Sequence, residues 1–182
     1  MTTWYTSDHH WGHENIIQHS HRPFTTVEQM NSVMVERWNE KVQPGDLVIH
    51  LGDIFFKMKQ AEAYKIREQL NGDICLINGN HDKIARNMTR AFKWIRDTHF
   101  VMDEDPTYQF FLCHYPMRSW NGSFRGSANL FGHCHGNLPV DHNLRQMDLG
   151  VDVHNFYPLS TEDVVAYLKK HNLGWKRDSI RV

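Results

Sequence analysis

The sequence has no Cys-x-x-Cys pair, no dense block of lysine and arginine, no apolar run of membrane-spanning length and no internal repeat. Its three cysteines, Cys75, Cys113 and Cys134, stand far apart. An odd, scattered set gives no disulfide framework and fits a reduced, cytoplasmic setting. The 20 Lys and Arg residues against 21 Asp and Glu leave a formal net charge of −1. That balance argues against nucleic acid as a partner, because backbone-phosphate binding rests on clustered positive charge. Without a long apolar run or an apolar leader, no membrane partner is expected. With no low-complexity tract or linker either, residues 1–182 are expected to form a single domain, long enough to bury a real core.

What the sequence does have is histidine, 14 in all, and a series of short apolar runs. Residues 4–6, 47–51, 74–77, 110–113 and 129–131 are each of strand length and run into Gly, Asn, Asp or His. Between them lie helical patterns. Val27, Met30, Met34 and Trp38 share one helix face behind Thr26, with Gln29 at capping-box spacing. Ala63, Ile66 and Leu70 predict a second helix, stopped by residues 71–73, and Ile84, Met88 and Phe92 a third. Ser160, with Asp163 in the box position, starts a last helix carrying Val164, Leu168 and His171 along one side. Strands alternating with helices in the first half imply βαβ units, hence an α/β layered sandwich.

The informative residues stand just after each predicted strand. Asp8 and His10 follow the first, Asp53 the second, and "NGNHD" (residues 78–82) the third. His114 follows the fourth, and His133 and His135 the fifth. Any one of these alone reads as a turn or a surface group. Together they place acid, amide and imidazole at consecutive strand ends, where sites form in open α/β sheets. On an extended segment, residues two apart share a face. By that rule Asp8 pairs with His10 and His133 with His135, and Cys134 of "GHCH" points away as a spacer. Cys113, beside His114, reads as a small apolar core residue.

In that order, "SDHH", "GD", "GNHD", a lone His and "GHCH" resemble the five signature blocks of the calcineurin-like metallophosphoesterase superfamily. The resemblance runs from Asp8 to His135. It is greatest to the small bacterial and phage phosphoesterases, whose "SDxHxGHxN" block matches residues 7–15. It implies a four-layer αββα sandwich with two divalent metal ions between the strand ends. Asp8, His10 and His135 would hold one ion, Asn80, His114 and His133 the other, and Asp53 would bridge them. His81 would be the catalytic imidazole, with Asp82 orienting it. The function implied is phosphomonoester or phosphodiester cleavage by metal-activated hydroxide attack on phosphorus. A site of oxygen and nitrogen donors without thiolate suits Mn²⁺, taken first here, with Fe²⁺ and Zn²⁺ as alternatives. The partner implied is a small phosphate ester, nucleotides included, in the cytoplasm.

His13, Asn15 and Arg118 are candidate substrate contacts beside that set. Arg22 reads as a surface ion pair or a phosphate contact. Arg118 and Arg125 flank "SWNGS", which has the composition of a mobile lid. His9 and His50 read as structural, whereas Asp152 and His154 repeat the i, i+2 spacing and are candidates for hydrogen bonds to ligands. The alternative function is a non-catalytic scaffold of the same fold that binds a protein partner. A metallo-β-lactamase-type hydrolase is disfavoured, because "HHWGH" lacks the spacing of HxHxDH.

Overall fold

The computed structural model describes residues 1–103 and 105–171. Among the described residues nine strands form two sheets: β1 (Thr3–Thr6), β2 (Leu47–His50), β3 (Asp73–Ile77), β4 (Ile95–Arg96), β5 (Thr98–Val101), β6 (Phe110–Cys113), β7 (Ala128–Phe131), β8 (Gln146–Asp148) and β9 (Leu159–Ser160). The helices are α1 (Ile16–His19), α2 (Val27–Lys41), α3 (Gln60–Arg67) and α4 (Thr161–Lys170). One sheet has the order β4-β3-β2-β1-β9, parallel except for β9. The other has the order β5-β6-β7-β8, parallel except for β5. The chain is therefore α/β, with two mixed sheets.

Alternation along the strands assigns the two faces. Trp4, Val48, Ile74 and Leu76 point toward α2 and α3, where Met30, Met34, Trp38 and Ala63 close one core. Tyr5, Ile49, Cys75 and Ile77 point the other way and meet Phe110, Leu112, Ala128, Leu130 and Met147 of the second sheet. The Tyr5 ring stands edge-on to Phe110 at 5.7 Å. Met30, Met34 and Trp38 are fully buried. Each such burial is worth about 1.5–3 kcal/mol, which sets α2 on the sheet more firmly than its propensity could.

Helix starts follow local chemistry. Thr26 Oγ1 accepts from Gln29 N at 3.2 Å, while the Gln29 amide reaches back to Thr25 N, one residue before the expected partner. Ser160 and Asp163 form the full reciprocal box of α4, whose Val164 and Leu168 are buried. His171 caps the end of that helix rather than lying along it. The third predicted helix is absent. Its residues make two 3-10 turns, Ala85–Asn87 and Thr89–Ala91, which return the chain to β4 at once. The segment 115–127 is not built as a loose lid. Trp120 is buried and donates to Ser127 Oγ at 3.1 Å, and Met117 N donates to Asn129 Oδ1 at 3.0 Å. It lies against the outer face of the second sheet. Among the described residues no helix is long and apolar enough to cross a membrane.

Candidate metal centre

The parallel strands β1, β2 and β3, and β6 and β7 of the other sheet, all end at one edge. The turns beyond them carry Asp8 and His10, Asp53, Asn80 and His81, His114, and His133 and His135. The backbone there departs from the extended geometry that the i, i+2 argument assumed. Asp8, His10, Asp53, His133 and His135 all have φ between 48° and 68°. Left-handed backbone is uncommon outside glycine, and where neighbours hold it in place it clusters at functional sites. Asp8 and His10 do meet in one ligand group, through tight left-handed turns, whereas His133 and His135 divide between the two groups. Cys134 is accordingly outside both ligand groups, in partly buried surroundings that raise its thiol pKa.

Two groups of side chains come within metal-binding reach, Asp8 with His10 and His135, and Asp53 with His114 and His133. Asp53 Oδ2 joins them, 3.5 Å from His10 Nε2 and 3.5 Å from His114 Nε2. Asn80 Oδ1 lies 3.0 Å from His114 Nε2, so its carbonyl faces the second group. The turns are laced together. His133 N donates to both carboxylate oxygens of Asp8, and His81 N donates to Asp53 Oδ1 at 2.8 Å. Close backbone approach makes this possible. Gly52 has φ +102°, and a Cβ on it would lie 2.6 Å from His114 Nδ1 and 2.7 Å from Gly79 N.

The residues fit divalent cations. Both ring nitrogens of His10 are buried without a hydrogen-bond partner, a costly state unless something takes the lone pair. Burial also holds His10 far below its usual pKa and brings His114 down to about 4. Both rings are thus neutral, the form in which imidazole binds metal. Burial raises the carboxyls of Asp8 and Asp53 above the usual range, a cost that an adjacent dication offsets. His114 Nδ1 points at Leu51 O at 2.8 Å, leaving Nε2 for the site.

Several expected roles change. Asp82 does not hold the His81 ring. Its buried carboxylate accepts from Asp53 N, Ile54 N and Gly79 N at 2.7–3.0 Å, so it anchors the turn that presents Asp53. Arg22 is neither a surface ion pair nor a phosphate contact. It is buried, paired with Asp152, and donates to the carbonyls of Asp8 and His9. Arg118 is exposed and has no hydrogen bond or ion pair among the described residues. His13 and Asn15 line a cavity of about 490 Å³ beside the centre, together with His19, Phe56, Lys57 and His81. Within it His13 stacks on Phe56 at 3.6 Å, and Phe56 meets the His81 ring at 5.0 Å.

The structural histidines pair behind the site. His50 Nε2 lies 2.9 Å from His9 Nδ1, while His50 Nδ1 accepts from Gly52 N. His9 also stacks on Trp11 at 4.1 Å. Asp152 accepts from His135 Nδ1 at 2.7 Å. His154 Nε2 reaches Asp148 O, and the Asp148 carboxylate accepts from Gly136 N and Gly150 N. Asp148 and the joint role of Arg22 had no signal in the sequence beyond their residue types.

Fold and site together define an α/β protein whose strand ends gather an Asp- and His-rich cluster able to hold metal. The chain belongs to one family with the uncharacterized protein MJ1445 of Methanocaldococcus jannaschii, 34% identical over 170 residues, covering 90% of this chain and 89% of that protein. A protein of unknown function from Aquifex aeolicus, AQ665, shares the fold in its crystal structure. The TM-score is 0.75 at 22% identity, over 91% of this chain and 98% of that one. No protein-family model matches the sequence.

Proposed function

We propose that this protein is a dinuclear metal-dependent phosphohydrolase of the calcineurin-like metallophosphoesterase type, cleaving small phosphomonoesters or phosphodiesters. The observation that carries this reading is the Asp53 carboxylate, set equally far from the imidazoles of two ligand groups. In this reading Asp8, His10 and His135 would hold one cation, Asn80, His114 and His133 the other, and Asp53 would be shared between them. The facing sheets, with α2 and α3 outside the first, support a sandwich of that type, its fourth layer made by the irregular segment 115–127.

A pair of divalent ions at such a site supplies Lewis acidity to phosphoryl oxygens and acidifies water near neutral pH. The chain supplies the rest. His81 is exposed at the mouth of the centre, where its ring can hand a proton to the leaving oxygen. Its backbone bond to Asp53 Oδ1 fixes that ring's distance from the bridging carboxylate. The cavity of His13, Asn15, His19, Phe56 and Lys57 receives the remainder of the ester, with Lys57 as its cation and Phe56 as its wall.

The test is hydrolysis of an aryl phosphate monoester, an aryl diester and a cyclic nucleotide, side by side, by metal-stripped protein resupplied with Mn²⁺, Fe²⁺ or Zn²⁺. Turnover that requires the added ion supports the reading. A protein that retains metal but turns over none of the three is the non-catalytic scaffold instead.

A further inference from the structure

The two ligand groups are not built alike. Behind the first stands a buried ion pair whose side chains are 0% (Arg22) and 7% (Asp152) exposed. Arg22 Nε and Nη2 reach the two Asp152 oxygens at 2.8 and 3.0 Å, a forked geometry that fixes both partners. The same guanidinium donates to His9 O at 2.8 Å and to Asp8 O at 2.7 Å. Asp152 Oδ2 in turn takes the Nδ1 proton of His135 at 2.7 Å. One ion pair therefore holds the backbone on which Asp8 and His10 sit and sets the tautomer of His135, leaving His135 Nε2 as donor. A carboxylate behind a ligating imidazole also raises its basicity.

The second group has no counterpart. His114 is backed by a neutral carbonyl, Leu51 O. His133 is exposed, and its ring has no hydrogen bond among the described residues. Asn80 is exposed and brings a neutral amide where the first group brings the Asp8 carboxylate. Asp53 is shared, so the first group has a carboxylate of its own and the second has none.

We propose that the Arg22–Asp152 pair makes the Asp8–His10–His135 site fill first and hold its cation more tightly, so that the centre loads in two unequal steps. The second cation then exchanges with solution, and the centre is complete only when the free divalent ion is plentiful. This inference rests on the dinuclear reading above. Arg22 and Asp152 are positioning residues in it, touching neither cation nor ester.

The experiment titrates Co²⁺ into metal-stripped protein, followed by calorimetry and by the visible absorption of the bound ion. Wild type should show two steps at least about tenfold apart in affinity. Asp152→Asn should weaken the tighter step by about 10–100-fold and leave the weaker one in place, and Arg22→Lys should act on the same step. His133→Ala should remove the weaker step alone. Two indistinguishable steps in wild type overturn the proposal, whatever the variants do. So does an Asp152→Asn effect on the step that His133→Ala removes. If wild type binds no Co²⁺ the dinuclear reading falls too, whereas two equal steps leave it standing.

Discussion

Asp53 Oδ2 lies 3.5 Å from His10 Nε2 and 3.5 Å from His114 Nε2. These imidazoles come from turns after β1 and β6, strands of different sheets, so the one carboxylate oxygen spans the seam between them. The other oxygen is held by His81 N, and Asp82 fastens the Asp53 backbone from behind. Asp53→Asn keeps the shape and removes the charge that two cations would share. Metal retention should fall by more than the roughly 10–100-fold typical of outer partners, and the phosphoesterase activity proposed above should drop to background. Metal content by elemental analysis, measured beside turnover, checks both.

His81→Ala should separate rate from metal. The ring is exposed and outside both ligand groups, so metal content should match wild type. Losing a proton donor should cost about 10²–10⁴-fold in kcat. Esters with acidic leaving groups, which need less protonation, should suffer least.

Gly52→Ala should damage the site from within the backbone. The added methyl meets His114 Nδ1 and Gly79 N, at a φ of +102° that side chains rarely adopt. A lower melting temperature together with weaker metal binding is expected. Gly45→Ala is the control, with a similar φ of +89° but no atom within 4 Å of its Cβ. It should affect stability alone.

Asp46 gives a pH signature remote from the metal centre. Its carboxylate accepts from Thr2 N, Trp4 Nε1 and Gln43 N, and these bonds, Thr2 foremost, bring its pKa down to about 2 from 3.8. A depressed folded-state value means stabilisation that is full above the unfolded pKa and lost as pH falls through the folded one. The stability gap between wild type and Asp46→Asn should therefore be widest above about pH 4 and close toward pH 2. Denaturant unfolding across that range checks it.

The sequence was most legible where function and local chemistry coincide. Thr26 and Ser160 read as caps because capping is settled within four residues. The strand ends read as a site because several unlike ligands follow apolar runs in order. Spacing was a poorer guide to conformation, since Asp8 and His10 meet, and His133 and His135 part to different ligand groups, through left-handed turns that no alternation rule describes. The pattern of Ile84, Met88 and Phe92 has helical period, yet Asp82 pins the chain to the Asp53 turn just before it and β4 begins just after. Two 3-10 turns form there instead. Arg22 and Asp152 lie 130 residues apart, and nothing within either segment announces the other. The strand pairs β1–β9 and β7–β8 were hidden for the same reason.

Anomalous diffraction from crystals grown with Mn²⁺ tests the dinuclear centre most directly. The expected result is two peaks roughly 3.5–4 Å apart, one against Asp8, His10 and His135, the other against Asn80, His114 and His133, with the Asp53 carboxylate between them. A single peak at saturating Mn²⁺, or a pair of peaks that Asp53 does not touch, would contradict it.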